Sequence, residues 1–225
     1  MLLRHLIVVV PIFAYACAAP SKQARQAVDF VDPHTNSGSM LDNAGSGGGE
    51  PLNVIISGLS SADVLTDSGI INFAKAVGFS TECLGIHIGD PQSANLGDGR
   101  GPQNQTVELR QDYGDPNLGT CLESAIGGNH FRVFRQNGPL APTGALFLAV
   151  SQEQPATESH TISEDGYNRG RDNFVANATG TKSFGGVTYS TVSQTVTGLL
   201  PVGSNGINHG IAIDGNVVLL TVKIV

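Results

Sequence analysis

The stretch Gly127 to Gln136, Gly-Gly-Asn-His-Phe-Arg-Val-Phe-Arg-Gln, restricts the possible folds more than any other part of the chain. Two glycines interrupt whatever precedes it. Phe131, Val133 and Phe134 then favour a strand, because aromatic and β-branched side chains fill a pleated, half-buried surface. Side chains alternate across a strand, so His130, Arg132 and Phe134 share one face and Phe131, Val133 and Arg135 the other. Each face combines apolar bulk with an arginine, so neither is plainly wet or plainly dry. The stretch is predicted to be a central strand, and its polar side chains become candidates for function.

The flanking pattern extends this strand into a sheet. Leu52 to Ser57 is a near-continuous apolar run bounded by Gly58 and predicts a strand buried on both faces. Asp67 or Ser68 caps a helix whose stripe is Ile70, Phe73, Ala74 and Val77, with Gly78 placed as its left-handed stop. Gln105 to Arg110 reads as a strand, Gly119 to Ile126 as a short helix, and Gly144 to Ser151 as a strand forming a hairpin with the 127–136 stretch. Tyr167 to Ala178 reads as a helix stopped by Gly180, with Arg171 on its core side beside Phe174, Val175 and Ala178. Val187 to Thr195 is a further strand, and Asp214-Gly215 predicts a hairpin between 210–213 and 216–223. Residues 83–103 form a long loop. Together these elements predict one α+β domain over residues 51–225, a mixed and mostly antiparallel sheet with two or three helices packed on it.

Before this domain, residues 1–18 have the shape of a signal peptide: one arginine, a short apolar run from Leu6 to Ala16, and the small residues Ala16-Cys17-Ala18 at the cleavage point. The run is shorter than the roughly 20 residues that span a bilayer. Residues 19–50, rich in glycine and serine, read as a flexible tail, because such a stretch buries too little surface to offset its ordering entropy. Secretion leaves Cys83 and Cys121 as one pair in an oxidising compartment, and a disulfide between them is expected to stabilise the fold by about 4 kcal/mol on the chain-entropy argument. Asn104-Gln-Thr and Asn177-Ala-Thr are glycosylation acceptors, which requires both asparagines to face solvent. The net charge of −7, made one unit more acidic by loss of Arg4, excludes nucleic acid as a partner, as it does a membrane surface once the leader is gone.

No set of residues spells out a reaction. Gly58-Leu-Ser60-Ser-Ala62 sits between a strand and a helix like a nucleophile elbow, but Ala62 replaces the second glycine. Its triad partners would be His209 and Asp214, in the wrong order for that fold. His87, His130, His160 and His209 are dispersed, with no close pair, so no metal or cofactor is assigned. The acidic loop 83–103 lacks the spacing of a calcium loop. The remaining constellation is His130 and Arg132 on the central strand with Arg171 and Asp172 on the late helix. It reads either as an ion-pair network, with Glu164, Asp165 or Asp172 supplying the anion, or as a pocket for an anionic ligand.

Several segments together resemble the LssY C-terminal domain, as found in secreted fungal proteins of unknown role. They are Pro51 to Gly58, Asn129-His-Phe-Arg-Val-Phe134, Gly144 to Val150, His160-Thr-Ile162 leading to Arg171-Asp172, and Asp214-Gly215. The resemblance spans nearly all of 51–225. The family's paired histidines correspond to Asn129 and His130, its arginine to Arg132 and its tryptophan to Phe134. Its second histidine pair corresponds to His160-Thr161, and its Glu-Arg-Asp to Gly170-Arg171-Asp172. The resemblance implies no established activity. The expectation is therefore a secreted binding or interaction module with an unknown extracellular ligand. The alternative is an extracellular hydrolase of anionic esters using the His130, Arg132, Arg171 and Asp172 cluster.

Overall fold

A computed structural model describes residues 25, 28–45, 47–87 and 89–225; the expected signal peptide lies outside them. In chain order the elements are β1 (Val54–Ile56), α1 (Asp67–Ala76), β2 (Phe79–Thr81), β3 (Ser93–Ala94), β4 (Gln103–Asn104), β5 (Val107–Gln111), α2 (Gly119–Ile126), β6 (Gly128–Arg135), β7 (Leu146–Glu153), α3 (Gly166–Ala178), β8 (Gly180–Phe184), β9 (Val187–Val196) and β10 (Val217–Ile224). Eight strands form one sheet in the order β2-β5-β6-β7-β1-β10-β9-β8, and β3 pairs with β4 alone. Only the β1–β10 pairing is parallel among the described strands. The α+β class and the mostly antiparallel sheet are thus as the sequence predicts. Among the described residues no helix is long and apolar enough to cross a membrane.

Both sheet faces are covered, which explains why β1 and β6 lack a solvent-facing side. Val54, Ile56, Phe131, Val133, Leu148 and Val150 meet α1 and α3 through Phe73, Ala74, Phe174 and Ala178. Phe79, Phe131 and Phe174 stack edge to face, with centroids 4.9–5.4 Å apart. On the opposite face Ile55, Phe134, Phe147 and Ala149 pack beneath loop residues Met40, Leu52, Leu199, Leu200 and Ile207. Helix α1 is capped one residue before the expected Asp67 or Ser68: Thr66 Oγ1 accepts from Gly69 N–H at 3.0 Å, and Gly78 follows the helix at φ 91°.

Two expectations are corrected. Residues 28–45 and 47–50 do not hang free as a tail. Met40 is 1 % exposed, Leu41 bridges Pro51, Asp29 accepts from Ser57 Oγ at 2.7 Å, and Gln136 bonds both polar groups of Val31. Of the glycines read as linker, Gly38, Gly48 and Gly49 are close-packing positions: a Cβ on Gly49 would lie 2.1 Å from the Asp42 carbonyl oxygen. Second, Asp214-Gly215 closes no hairpin between paired strands. Ile213 bridges Gly203, and β10 pairs with β9 and β1. The Asp214 side chain is taken up by Arg171.

Helix α3 rests directly on β7. A Cβ on Gly170 would stand 2.6 Å from the Ser151 carbonyl carbon, and one on Gly166 2.7 Å from the Gln152 oxygen. Alanine improves helix propensity over glycine by about 1 kcal/mol, but overpacking against backbone costs about 1–3 kcal/mol. Gly170→Ala is expected to lower unfolding stability by chemical denaturation; a stabilised variant would show that the contact is loose.

Candidate functional site

Strand register builds the site. Strands β5, β6 and β7 bring Arg110 opposite His130 and His130 opposite Ser151; one step on, Glu108 faces Arg132 and Arg132 faces Ala149. Because side chains alternate, Glu108, Arg110, His130, Arg132, Ser151 and Glu153 share the face that carries Phe134 and Phe147. Three elements close over this grid. Glu82 comes from the turn after β2, Glu123 from the inner side of α2, and Asp42 and Glu50 from the segment before β1.

Two guanidinium groups tie these acids together. Arg110 reaches Glu108 at 2.7 Å, Glu153 at 2.9 Å, Glu123 at 3.1 Å and Glu82 at 3.8 Å. Arg132 reaches Glu50 at 2.7 Å and Glu108 at 3.2 Å. Asp42 feels the charge of Arg132 and accepts from the backbone N–H groups of Glu50 and Ala44. Six carboxyl groups thus share two fixed cations, most of them buried. Like charges this close cannot all ionise at neutral pH. Burial pushes Glu50 and Glu123 up to about 7 and Asp42 up to about 6, more than their arginine partners pull them down. Burial also works against charge on Arg110, but Glu153, Glu108 and Glu123 more than offset it.

His130 is fully buried and held far below its ordinary pKa by burial, with Arg132, Arg110 and His160 adding to the shift. It is neutral. Arg132 Nη1 lies 3.0 Å from its Nε2, and a guanidinium only donates, so Nε2 accepts and the proton sits on Nδ1. That nitrogen has no hydrogen-bond partner: Glu153 Oε1 is 3.5 Å away. Ser151 Oγ also lies 3.4 Å from Nε2. Serine, histidine and glutamate therefore stand in triad order, yet Nε2 is engaged by Arg132 and Ser151 is 1 % exposed. The arrangement has neither a free base nor room for a substrate at the hydroxyl.

The expected cluster divides in two. His130 and Arg132 belong to this grid. Arg171 instead pairs with both oxygens of Asp214 at 2.6 and 2.8 Å, with Asp172 at 2.8 Å, and with the Asn216 carbonyl at 3.0 Å. The Arg171 hydrogen bonds, helped by the Asn216 backbone N–H and outweighing burial, hold Asp214 down to about 2. Of the acids proposed for Arg171, Asp172 serves; Asp214 is the addition. Ser60 is no nucleophile: it is 3 % exposed and its Oγ accepts from Val222 N–H. Cys83 and Cys121 are bonded as expected, and Asn104 and Asn177 are exposed. The sequence reading missed Glu50, Glu108, Arg110, Glu123 and Glu153. The available signal was the polar pair at i and i+2 in three successive strands, Glu108-x-Arg110, His130-x-Arg132 and Ser151-x-Glu153.

Beside the grid opens a cavity of about 430 Å³ lined by Glu82, Cys83, Ile86, Arg110, Ser124 and His160. Helix α2 borders it inside out. Its buried side carries Glu123, while Leu122 and Ile126, together with Leu118 at its N-cap, are spaced four apart and exposed; Ser124 of the same helix lines the cavity with Ile86. Ser159 and His160 both hold left-handed backbone, φ 62° and 52°, a cost that local packing must sustain. No family model matches the chain, and neither a curated protein nor a solved structure matches it significantly.

An acid that binds its proton more tightly when folded stabilises the fold while that proton is bound. The contribution of Asp42 and Glu50 is complete below their unfolded values of 3.8 and 4.5 and disappears as pH rises through about 6 and 7. Asp214 acts in the opposite sense, losing its contribution as pH falls from 3.8 toward about 2. Thermal unfolding is expected to give the highest Tm at about pH 4, with a decline toward about pH 8 that Glu50→Gln flattens; a Tm rising over that interval contradicts the assignment. Arg110→Met strands its carboxylates and is expected to cost about 3–5 kcal/mol by chemical denaturation.

Proposed function

We propose that the protein is a secreted extracellular binding module of the LssY C-terminal type, and that its ligand is a small amphipathic molecule with a cationic head. The observation that carries this reading is the inverted helix α2. An apolar stripe turned to solvent and an acid turned inward is the reverse of what stability alone selects, and the helix that bears it also lines the acidic cavity through Ser124. Ile86 and the Cys83–Cys121 bridge supply the apolar wall. Glu82 and the carboxylates crowded on Arg110 supply a negative field at the floor. The disulfide and the exposed Asn104 and Asn177 support secretion.

The hydrolase reading relied on arginines open to an anionic ester. Arg132 and Arg171 are both filled by carboxylates of the chain itself, which favours binding over that chemistry. The test is calorimetric titration with dodecyltrimethylammonium, dodecyl sulfate and dodecanol below their aggregation limits. The alkylammonium is expected to bind best. Ile86→Asp should weaken it by about 10-fold or more, the equivalent of about 1.5–3 kcal/mol for one buried aliphatic side chain, and Glu82→Gln should weaken it as well. Preference for dodecyl sulfate, or turnover of an ester panel that depends on His130, would replace this reading.

A further inference from the structure

Beneath the cavity, two buried polar atoms have no partner: Glu123 Oε1 and His130 Nδ1, both on side chains that are fully buried. Unpaired polar atoms this deep are rare, because each forfeits its hydration without compensation. They stand together. One donor atom each from Glu123, His130 and Glu153 lies within 4.8 Å of the other two. We propose that Glu123, His130 and Glu153 form a binding site for one divalent transition-metal ion, a site independent of what occupies the cavity.

The distances favour an ion over a hydrogen bond. His130 Nδ1 to Glu153 Oε1 is 3.5 Å, too long for a good N–H···O bond. It matches the separation of about 3.4 Å between two ligands that each stand about 2.1 Å from a tetrahedral centre. Arg110 Nη1 holds Glu123 Oε2 and Glu153 Oε2, and so fixes both carboxylates through one oxygen while the other stays open, as outer partners do around metal sites. Two carboxylates and an imidazole suit Zn²⁺, Mn²⁺ or Fe²⁺ rather than Ca²⁺, which takes oxygen ligands. His160 Nδ1, 3.6 Å from Glu153 Oε2 and on the cavity wall, marks the way in from solvent.

Binding requires His130 to change tautomer. The proton leaves Nδ1, which takes the metal, and Nε2 becomes the N–H, donating to Ser151 Oγ 3.4 Å away. Arg132 then turns from Nε2 to Glu50 and Glu108, which it already contacts. His130 releases no net proton. The other acidic cluster, Glu82, His87 and Glu108, lacks this signature: His87 pairs with Glu82 at 2.8 Å, and Glu108 receives Arg110 and Arg132.

The test uses the oxidised protein after chelator treatment, titrated with Zn²⁺ by calorimetry and followed by long-range ¹H–¹⁵N spectra of the imidazoles. One equivalent is expected to bind, to raise Tm with Zn²⁺ concentration, and to move the His130 ring nitrogens as Nδ1 is metallated. Glu123→Gln, whose amide oxygen still accepts from Arg110, should fold and lose at least about tenfold in affinity, while Glu82→Gln should keep the site. Because the wild-type spectrum alone reports on His130, the test does not depend on any variant folding. Three results overturn the proposal: no binding, which leaves a buried water as the filler of the gap; Zn²⁺ that moves only His34, His87 or His209; or Ca²⁺ binding in preference to Zn²⁺.

Discussion

The structure depends on a shortage of cations. Strands β5, β6 and β7 assemble Arg110 and Arg132 with Glu108 and Glu153 on one sheet face, and the flanking segments lower three more glutamates and an aspartate onto them. In water such a set would disperse; buried, it must retain protons or gain a cation. This requirement links the parts of the molecule. The segment before β1 is held down partly because Glu50 completes Arg132, and α2 turns its apolar stripe outward because Glu123 faces Arg110. The Cys83–Cys121 bridge joins the two pieces that frame the opening. Electrostatic demand inside and apolar surface outside are two consequences of one arrangement.

Much of the scaffold was legible because it follows local rules. Periodicity located α1 and α3, the apolar runs located β1 and β7, aromatic and β-branched bulk located β6, and a Thr/Ser/Val-rich stretch located β9. Glycines were the least legible residues. Gly38, Gly48 and Gly49 have the composition of a linker, yet each sits where a Cβ would meet backbone below 3 Å; composition does not distinguish freedom from close approach. Asp214-Gly215 misled for a related reason. The dipeptide favours a hairpin, but the tertiary demand of buried Arg171 for a carboxylate outweighed that local preference. The short strands β2, β3, β4 and β8 carry too few residues to show a period.

The site was half legible. His130 and Arg132 stand out in sequence because they interrupt an apolar strand, whereas Glu108, Arg110 and Glu153 look like ordinary surface charges at strand ends. They acquire meaning only through register, which sets Arg110 opposite His130 and Glu108 opposite Arg132. Arg171 was correctly placed on the core side of its helix, and its need for an anion was correctly inferred. Its union with His130 was not, since Asn129, not His130, turns toward α3, donating to the Gly170 carbonyl.

The most direct measurement of the cation shortage is a ¹³C titration of the carboxyl groups in the wild-type protein. The account predicts that one or more of Asp42, Glu50 and Glu123 remains protonated above about pH 6, while Asp214 is ionised throughout the range above about pH 3. If Asp42, Glu50 and Glu123 all titrate below about pH 5 in metal-free protein, the two arginines suffice, and the central claim is wrong.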